Sequence, residues 1–159
     1  MADNASAYST DLDTLFNELV RAETRLYNAV AERMKAHAGV GAGHFELLRY
    51  VRDHPGSRVA DLASAFAIGV GTTSKIADRL ETEGWLERRP NPTNRRSSLL
   101  VLTNAGQSTV SRAEPVWQAA LQQILGEGAL SPGELVALSK ALATLRWDLE
   151  RRREGLPTG

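Results

Sequence analysis

Ala60-Asp-Leu-Ala-Ser-Ala-Phe-Ala-Ile-Gly-Val-Gly-Thr-Thr-Ser-Lys-Ile-Ala-Asp-Arg-Leu-Glu-Thr-Glu-Gly84 and its continuation Trp85-Leu-Glu-Arg-Arg-Pro-Asn-Pro-Thr-Asn-Arg-Arg-Ser-Ser-Leu-Leu-Val-Leu-Thr103 decide the fold of this chain. Leu62, Ala63 and Phe66 mark a short helix over about 60–67. Ile76 and Leu80 mark a second over about 70–83, with Gly84 at the position just past its end. A short helix, a tight turn of small residues and a second helix is the layout of a helix–turn–helix. The second helix opens on Gly71, Thr72, Thr73, Ser74 and Lys75, small or polar residues with one base. Such residues let a helix end approach a duplex closely, and hydroxyls and free backbone N–H groups there suit phosphates and base edges. Past Gly84 the texture changes. Residues 85–89 and 97–103 have the composition of two short strands, and the connection 90–96 is rich in turn residues and bases. Helix–turn–helix followed by a hairpin is a winged helix.

Outside this stretch the chain is helical. Leu12, Leu15, Phe16, Leu19, Val20, Leu26, Tyr27, Val30 and Met34 recur at three- and four-residue steps, which predicts a long helix over 11–37. The glycine-rich run 39–43 ends it, and another helix is expected over 44–53 before His54-Pro55-Gly56. Helical periodicity returns over 104–125, with Pro115 expected to kink or break it. Ser131, Pro132 and Glu134 have the spacing of a capped helix start, and Leu135, Leu138, Leu142, Leu145 and Leu149 follow. The fold class is therefore mainly α with a small β-wing. Four segments are expected: an N-terminal dimerisation helix (1–37), a winged helix–turn–helix domain (44–103), C-terminal dimerisation helices (104–150) and a tail (151–159).

Composition narrows the function. The 159 residues are 42% apolar and 24% charged, as in a globular chain. Cysteine is absent, which excludes disulfides, thiol catalysis and Cys-ligated metals. No run approaches the ~20 apolar residues of a membrane span, and residues 1–13 lack a basic leader region, so a cytoplasmic protein is expected. Nineteen bases balance nineteen acids overall, but residues 56–100 hold seven bases and five acids. That excess suits an electrostatic footprint on one face. Gly69-Val-Gly-Thr-Thr-Ser-Lys75 and Gly39-Val-Gly-Ala-Gly43 both miss the order of nucleotide-binding loops, and neither follows a strand. His37, His44 and His54 with Glu46 are residue types that suit zinc, but surface or capping histidines are far commoner, so no metal and no cofactor is expected. No nucleophile–base pair or paired carboxylates are legible, which argues against an enzyme.

The motifs 62–68, 72–81 and 83–88, and above all the arginine pair Arg95-Arg96 followed by an apolar strand ending in Leu102-Thr103, resemble the MarR-type winged helix–turn–helix. The resemblance covers nearly the whole chain. It implies a ligand-responsive transcriptional regulator, most often a repressor, that binds a pseudo-palindromic duplex as a homodimer. Base reading then falls to Gly71, Thr72, Thr73, Ser74, Lys75 and Arg79, and wing contacts to Arg88, Arg89, Asn94, Arg95 and Arg96, with Arg96 entering the minor groove. Two positions depart from the family pattern: Asn94 stands where Asp is usual, and Gly69 where Ser or Thr is usual. The resemblance also implies a pocket for a small aromatic or phenolic anion, for which Tyr27, His44, Arg49 and Trp117 are candidates. Leu12, Leu15 and Leu19 with Leu138, Leu142, Leu145 and Trp147 present more apolar surface than a monomer leaves bare, which predicts their mutual burial in a dimer. The competing reading is a winged-helix module for protein–protein interaction.

Overall fold

The computed structural model describes residues 3–156, with side chains from Asp11 onward; the first two and last three residues of the expected end segments lie outside the described residues. Six helices and one hairpin follow in order: α1 Asp3–His37, α2 Ala42–Asp53, α3 Val59–Ala65, α4 Val70–Thr82, β1 Leu86–Pro90, β2 Ser98–Leu102, α5 Asn104–Leu121 and α6 Pro132–Arg152. The strands pair antiparallel, Leu86 opposite Leu102 and Pro90 opposite Ser98. The other edge of β2 is held at one point, where the Leu100 N–H donates to the Ser57 carbonyl at 2.8 Å.

The core forms where the inward faces of these elements meet. Phe45 and Leu48 of α2, Leu62 of α3, Leu80 of α4, Leu100 of β2 and Val110 of α5 are all fully buried, and Val30 and Met34 of α1 close the cluster. Apolar burial on this scale stabilises by roughly 1.5–3 kcal/mol per large side chain. The wing is fastened to α5 by Thr103, whose Oγ1 donates to the Gly84 carbonyl at 2.6 Å and accepts from the Gly106 N–H at 3.0 Å. Gly106 must be glycine for this joint, since a Cβ there would lie 2.0 Å from the Trp85 carbonyl oxygen. Gly84 takes the positive φ of +74° that ends α4 and starts the strand.

Three expectations need correction. The first helix begins at Asp3, before Asp11. Pro115 neither breaks nor ends α5, which runs unbroken through it to Leu121. Pro115 and Ser111 are both exposed, so the carbonyl that loses its helical donor faces water, which can satisfy it. The irregularity comes later, as a π-helical turn over Gln122–Gly126. The expected tail is helical at its start, because Arg151 and Arg152 both pair with Asp148, at 2.8 and 2.9 Å, and extend α6. The capped start of α6 is as expected: Ser131 Oγ accepts from the Glu134 N–H and Glu134 Oε2 accepts from the Ser131 N–H.

Candidate nucleic-acid interface

Helix α4 starts at Gly69, which supplies no side-chain cap, so its first N–H groups stay free of side-chain partners. Gly71, Thr72 and Lys75 are exposed on this first part of the helix, Ser74 is half-buried and Arg79 is exposed farther along. Thr73 is not part of that surface. It is only 1% exposed, and its hydroxyl donates back to the Gly69 carbonyl at 3.0 Å. The cause is helical spacing: Thr73, Ala77 and Leu80 lie on one face, and that face is the buried one.

The wing divides its arginines into two kinds. Arg88 is clamped to α4 by Asp78 at 2.8 Å and Glu81 at 2.6 Å, and its backbone N–H donates to Glu81 at 3.1 Å. Its charge is spent on holding β1 against α4, which corrects its assignment as a free DNA contact. Arg89 pairs with Glu87 at 2.6 Å, a contact between exposed side chains that yields easily. Arg95 and Arg96, at the tip, are exposed and make no ion pair among the described residues. Two asparagines shape that tip. Asn91 is buried, accepts from the Thr93 N–H and hydroxyl, and donates to Ser97 Oγ. Asn94 Oδ1 accepts from the Arg96 N–H at 3.0 Å, so it braces the backbone beneath Arg96 and leaves the guanidinium uncommitted. Sequence reading missed Asn91, Asp78 and Glu81; the Asn-Pro-Thr turn was the available signal for the first.

A second site lies between α1, α2 and α5. Tyr27 and Trp117 line a cleft of about 180 Å³ together with Glu23 and Glu46, over a floor of Leu26, Val30 and Leu121. Burial pushes the Tyr27 hydroxyl up, and the negative charges of Glu46 and Glu23 add to it. Burial likewise raises Glu46. Arg49 lies with its guanidinium 5.1 Å from the rings of both Phe45 and Trp117. His44 is not in this cleft. Two residues from Glu46, it sits about 200° around α2 and faces α4, where burial and then Arg79 depress its basicity. His54, the third candidate for a metal set, is engaged instead with the end of its own helix through the Tyr50 carbonyl.

The terminal helices carry the remaining candidates. Leu12 is 60%, Leu15 63%, Leu142 39% and Trp147 61% exposed, Leu138 and Leu145 are also bare, and Leu19 is half-buried. No residue of α6 is buried.

Residues 42–98 match the MarR family, a span that covers α2 through the first residue of β2. The multiple antibiotic resistance protein MarR of Escherichia coli is 31% identical over 67 residues, 42% of this chain and 46% of that protein, so the matched stretch spans about half of that relative. Among solved structures, Sco3205 of Streptomyces coelicolor, a MarR family transcriptional regulator in complex with DNA, superposes with a TM-score of 0.82 at 23% identity, covering 93% of each chain. BpsR of Bordetella bronchiseptica, whose DNA binding is regulated by 6-hydroxynicotinic acid, superposes with a TM-score of 0.74 at 26% identity, covering 82% of this chain and 91% of that one. The helix–turn–helix and wing over residues 42–98 thus match the MarR family, and the flanking long helices complete the winged-helix fold seen in those solved structures.

Proposed function

We propose that two copies of this chain bind a pseudo-palindromic duplex and repress transcription until a small aromatic effector enters the cleft between α1, α2 and α5. The observation that carries the reading is the contrast within the wing. Arg88 is neutralised internally, whereas Arg95 and Arg96 stand uncommitted at a tip pre-shaped by Asn91 and Asn94. A pair of arginines held on a braced loop is suited to the narrow minor groove, where the negative potential is focused. Beside it, Thr72 and Lys75 stand where the start of a recognition helix meets base edges, and Gly71 lets the backbone come close.

Two copies are needed because one recognition helix reads one half-site, and a two-fold dimer places the second about one helical turn away. The bare leucines of α1 and α6 supply the self-complementary apolar surface for that assembly. The expected segments follow from it: ends that dimerise and a winged middle that binds. No helix among the described residues is long and apolar enough to cross a membrane, and a regulator of this kind acts on DNA in the cytoplasm.

Fluorescence anisotropy with the DNA upstream of the chain's own gene tests the reading. Saturable binding that survives an excess of random duplex, with two chains per site, is the expected result. Equal affinity for the upstream and random duplexes would overturn it.

A further inference from the structure

Resting on the effector-responsive reading, we propose that the cleft between α1, α2 and α5 receives a small aromatic cation: one ring against Trp117 and the aliphatic floor, with a protonated amine between the carboxylates of Glu23 and Glu46.

The cleft is too acidic for the anionic effectors that the family resemblance implies. It holds two carboxylates and a phenol, and no base lines it directly. The nearest cation is Arg49, whose charge is already shared: it acts on Glu46, on Asp53 and on Glu114, while its guanidinium rests on the rings of Phe45 and Trp117. A carboxylate ligand would therefore meet two like charges with one guanidinium near them, Arg49, which already acts on Glu46, and like charges at close range are costly in a partly desolvated site. An ammonium group meets the reverse. Its three donors match the acceptors offered by two carboxylates and the Tyr27 oxygen, and charge-assisted bonds are the strong ones.

Glu46 is the central group. It is half-buried, and burial raises its carboxyl, an effect that the Tyr27 hydroxyl and the Arg49 charge offset only in part. An ammonium ligand supplies further counter-charge and relieves the remaining penalty. The cleft's size sets the other half of the ligand. About 180 Å³ corresponds to roughly six waters' share of liquid volume, below the ~300 Å³ of a drug-sized site, which leaves room for a single ring and a short arm. The apolar floor and the indole of Trp117 provide the surface that such a ring covers, and the negative face of an aromatic residue is itself favourable to a cation. Such a ligand would tie α1 to α2, the helix on which the winged domain is built.

Isothermal titration calorimetry of the free full-length chain at pH 7 tests this with three single-ring probes of one shape: 2-phenylethylamine, 2-phenylethanol and phenylacetate. The amine should bind about tenfold more tightly than the alcohol and about a hundredfold more tightly than the acid, one tenfold step for each unfavourable change of charge. Glu46→Gln should lower the affinity for the amine about tenfold and narrow its lead over the alcohol. Glu23→Gln, at an exposed position that tolerates substitution, should narrow it in the same direction. Phenylacetate binding as well as the amine, no heat of binding from any probe at about 10 mM, or an unchanged preference in both variants would each overturn the proposal. Operator binding by the unliganded chain is read separately by anisotropy. Its failure would sink the regulator reading and leave the calorimetric result standing.

Discussion

Helices α2 and α6 are built from similar residues and end in opposite places. In α2, Phe45, Leu47, Leu48 and Val51 are all buried against α1, α5 and the hairpin; in α6, Leu138, Leu142, Leu145 and Trp147 all face solvent. An amphipathic helix gains most of its stability from covering its apolar face. The winged region covers its own, so its fold is complete within one chain. The terminal region does not, and each large side chain left bare forgoes roughly 1.5–3 kcal/mol that only another surface can recover. One part of the molecule folds on itself, and in the proposed dimer a second copy covers the other. That division is what a symmetric DNA reader requires, because the half-site spacing is set where the copies join.

The heaviest blow to this contrast falls on Leu142. Leu142→Glu places a charge in the shared surface, at several kcal/mol if it stays unpaired. Sedimentation should show dimers for the parent chain at micromolar concentration and monomers for the variant, with helical content retained because α6 buries nothing within its own chain. Operator affinity should fall at least about a hundredfold, the usual loss when two linked binding modules become independent. A monomer that binds the operator as tightly as the parent would break the comparison outright.

Within the winged region the same logic separates the arginines. Arg95→Ala with Arg96→Ala should weaken binding to operator and random duplex together and reduce the slope of log K against log salt by about 2–4 for the dimer, near one unit for each phosphate no longer neutralised. Arg88→Ala should act differently. It unfastens β1 from Asp78 and Glu81, and its first symptom should be a lower melting temperature, with a smaller change in salt slope. An unchanged slope after removal of the Arg95 and Arg96 side chains, with folding intact, would take the wing tip out of the mechanism.

Local signals carried most of the architecture. The helix–turn–helix and hairpin were legible because apolar steps of three and four gave way to short strands bounded by Gly84 and the Pro-Asn-Pro turn. The capped start of α6 was legible for the same reason: Ser131 and Glu134 act on each other across one turn. What escaped depends on distance in sequence. Arg88 finds Asp78 and Glu81 only once the hairpin folds back on α4, and Glu23 and Glu46 line one cleft only once α2 folds back on α1. Pro115 escaped because its cost depends on whether the orphaned carbonyl faces water. Thr73 was legible but misread: its spacing to Ala77 and Leu80 already placed it inward.

Thr72 and Thr73 sharpen the contrast to adjacent residues. Thr72 is exposed at the start of α4 and Thr73 is buried. If Thr72 touches a base, Thr72→Ala should narrow the gap between operator and scrambled duplex by about 1–3 kcal/mol for a well-made contact. Thr73→Val keeps the shape and removes the hydroxyl bond to Gly69, which also accepts the Thr73 N–H and so stays satisfied. Its cost should be about 1 kcal/mol or less in stability, with the binding gap unchanged. Competition binding at one fixed salt concentration and thermal melts read the two effects. A wider loss of discrimination from Thr73→Val than from Thr72→Ala would reverse the assignment.

The smallest expected effect lies at the seam between α2 and α5, where Arg52 reaches Glu114 at 2.6 Å. Hydrogen bonding from Arg52 holds the Glu114 carboxyl below its ordinary value. A carboxyl whose folded-state pKa is depressed contributes stability that is present above its unfolded pKa of about 4.3 and is lost as the pH falls through the folded value. The same sign applies to Asp53, which Arg52 also lowers. Glu114→Gln should therefore leave the chain slightly less stable at neutral pH and flatten the acid limb of its stability curve below about pH 4.3. Both side chains of the pair are about a third exposed, so solvent screening limits the neutral-pH loss to about 0.5 kcal/mol. Urea melts from pH 3 to pH 7 (about five points suffice for one titrating group) measure it. If the variant and the parent lose stability in parallel as acid is added, Arg52 and Glu114 do not couple, and the seam between α2 and α5 is held by apolar packing such as that of Phe45 on Trp117.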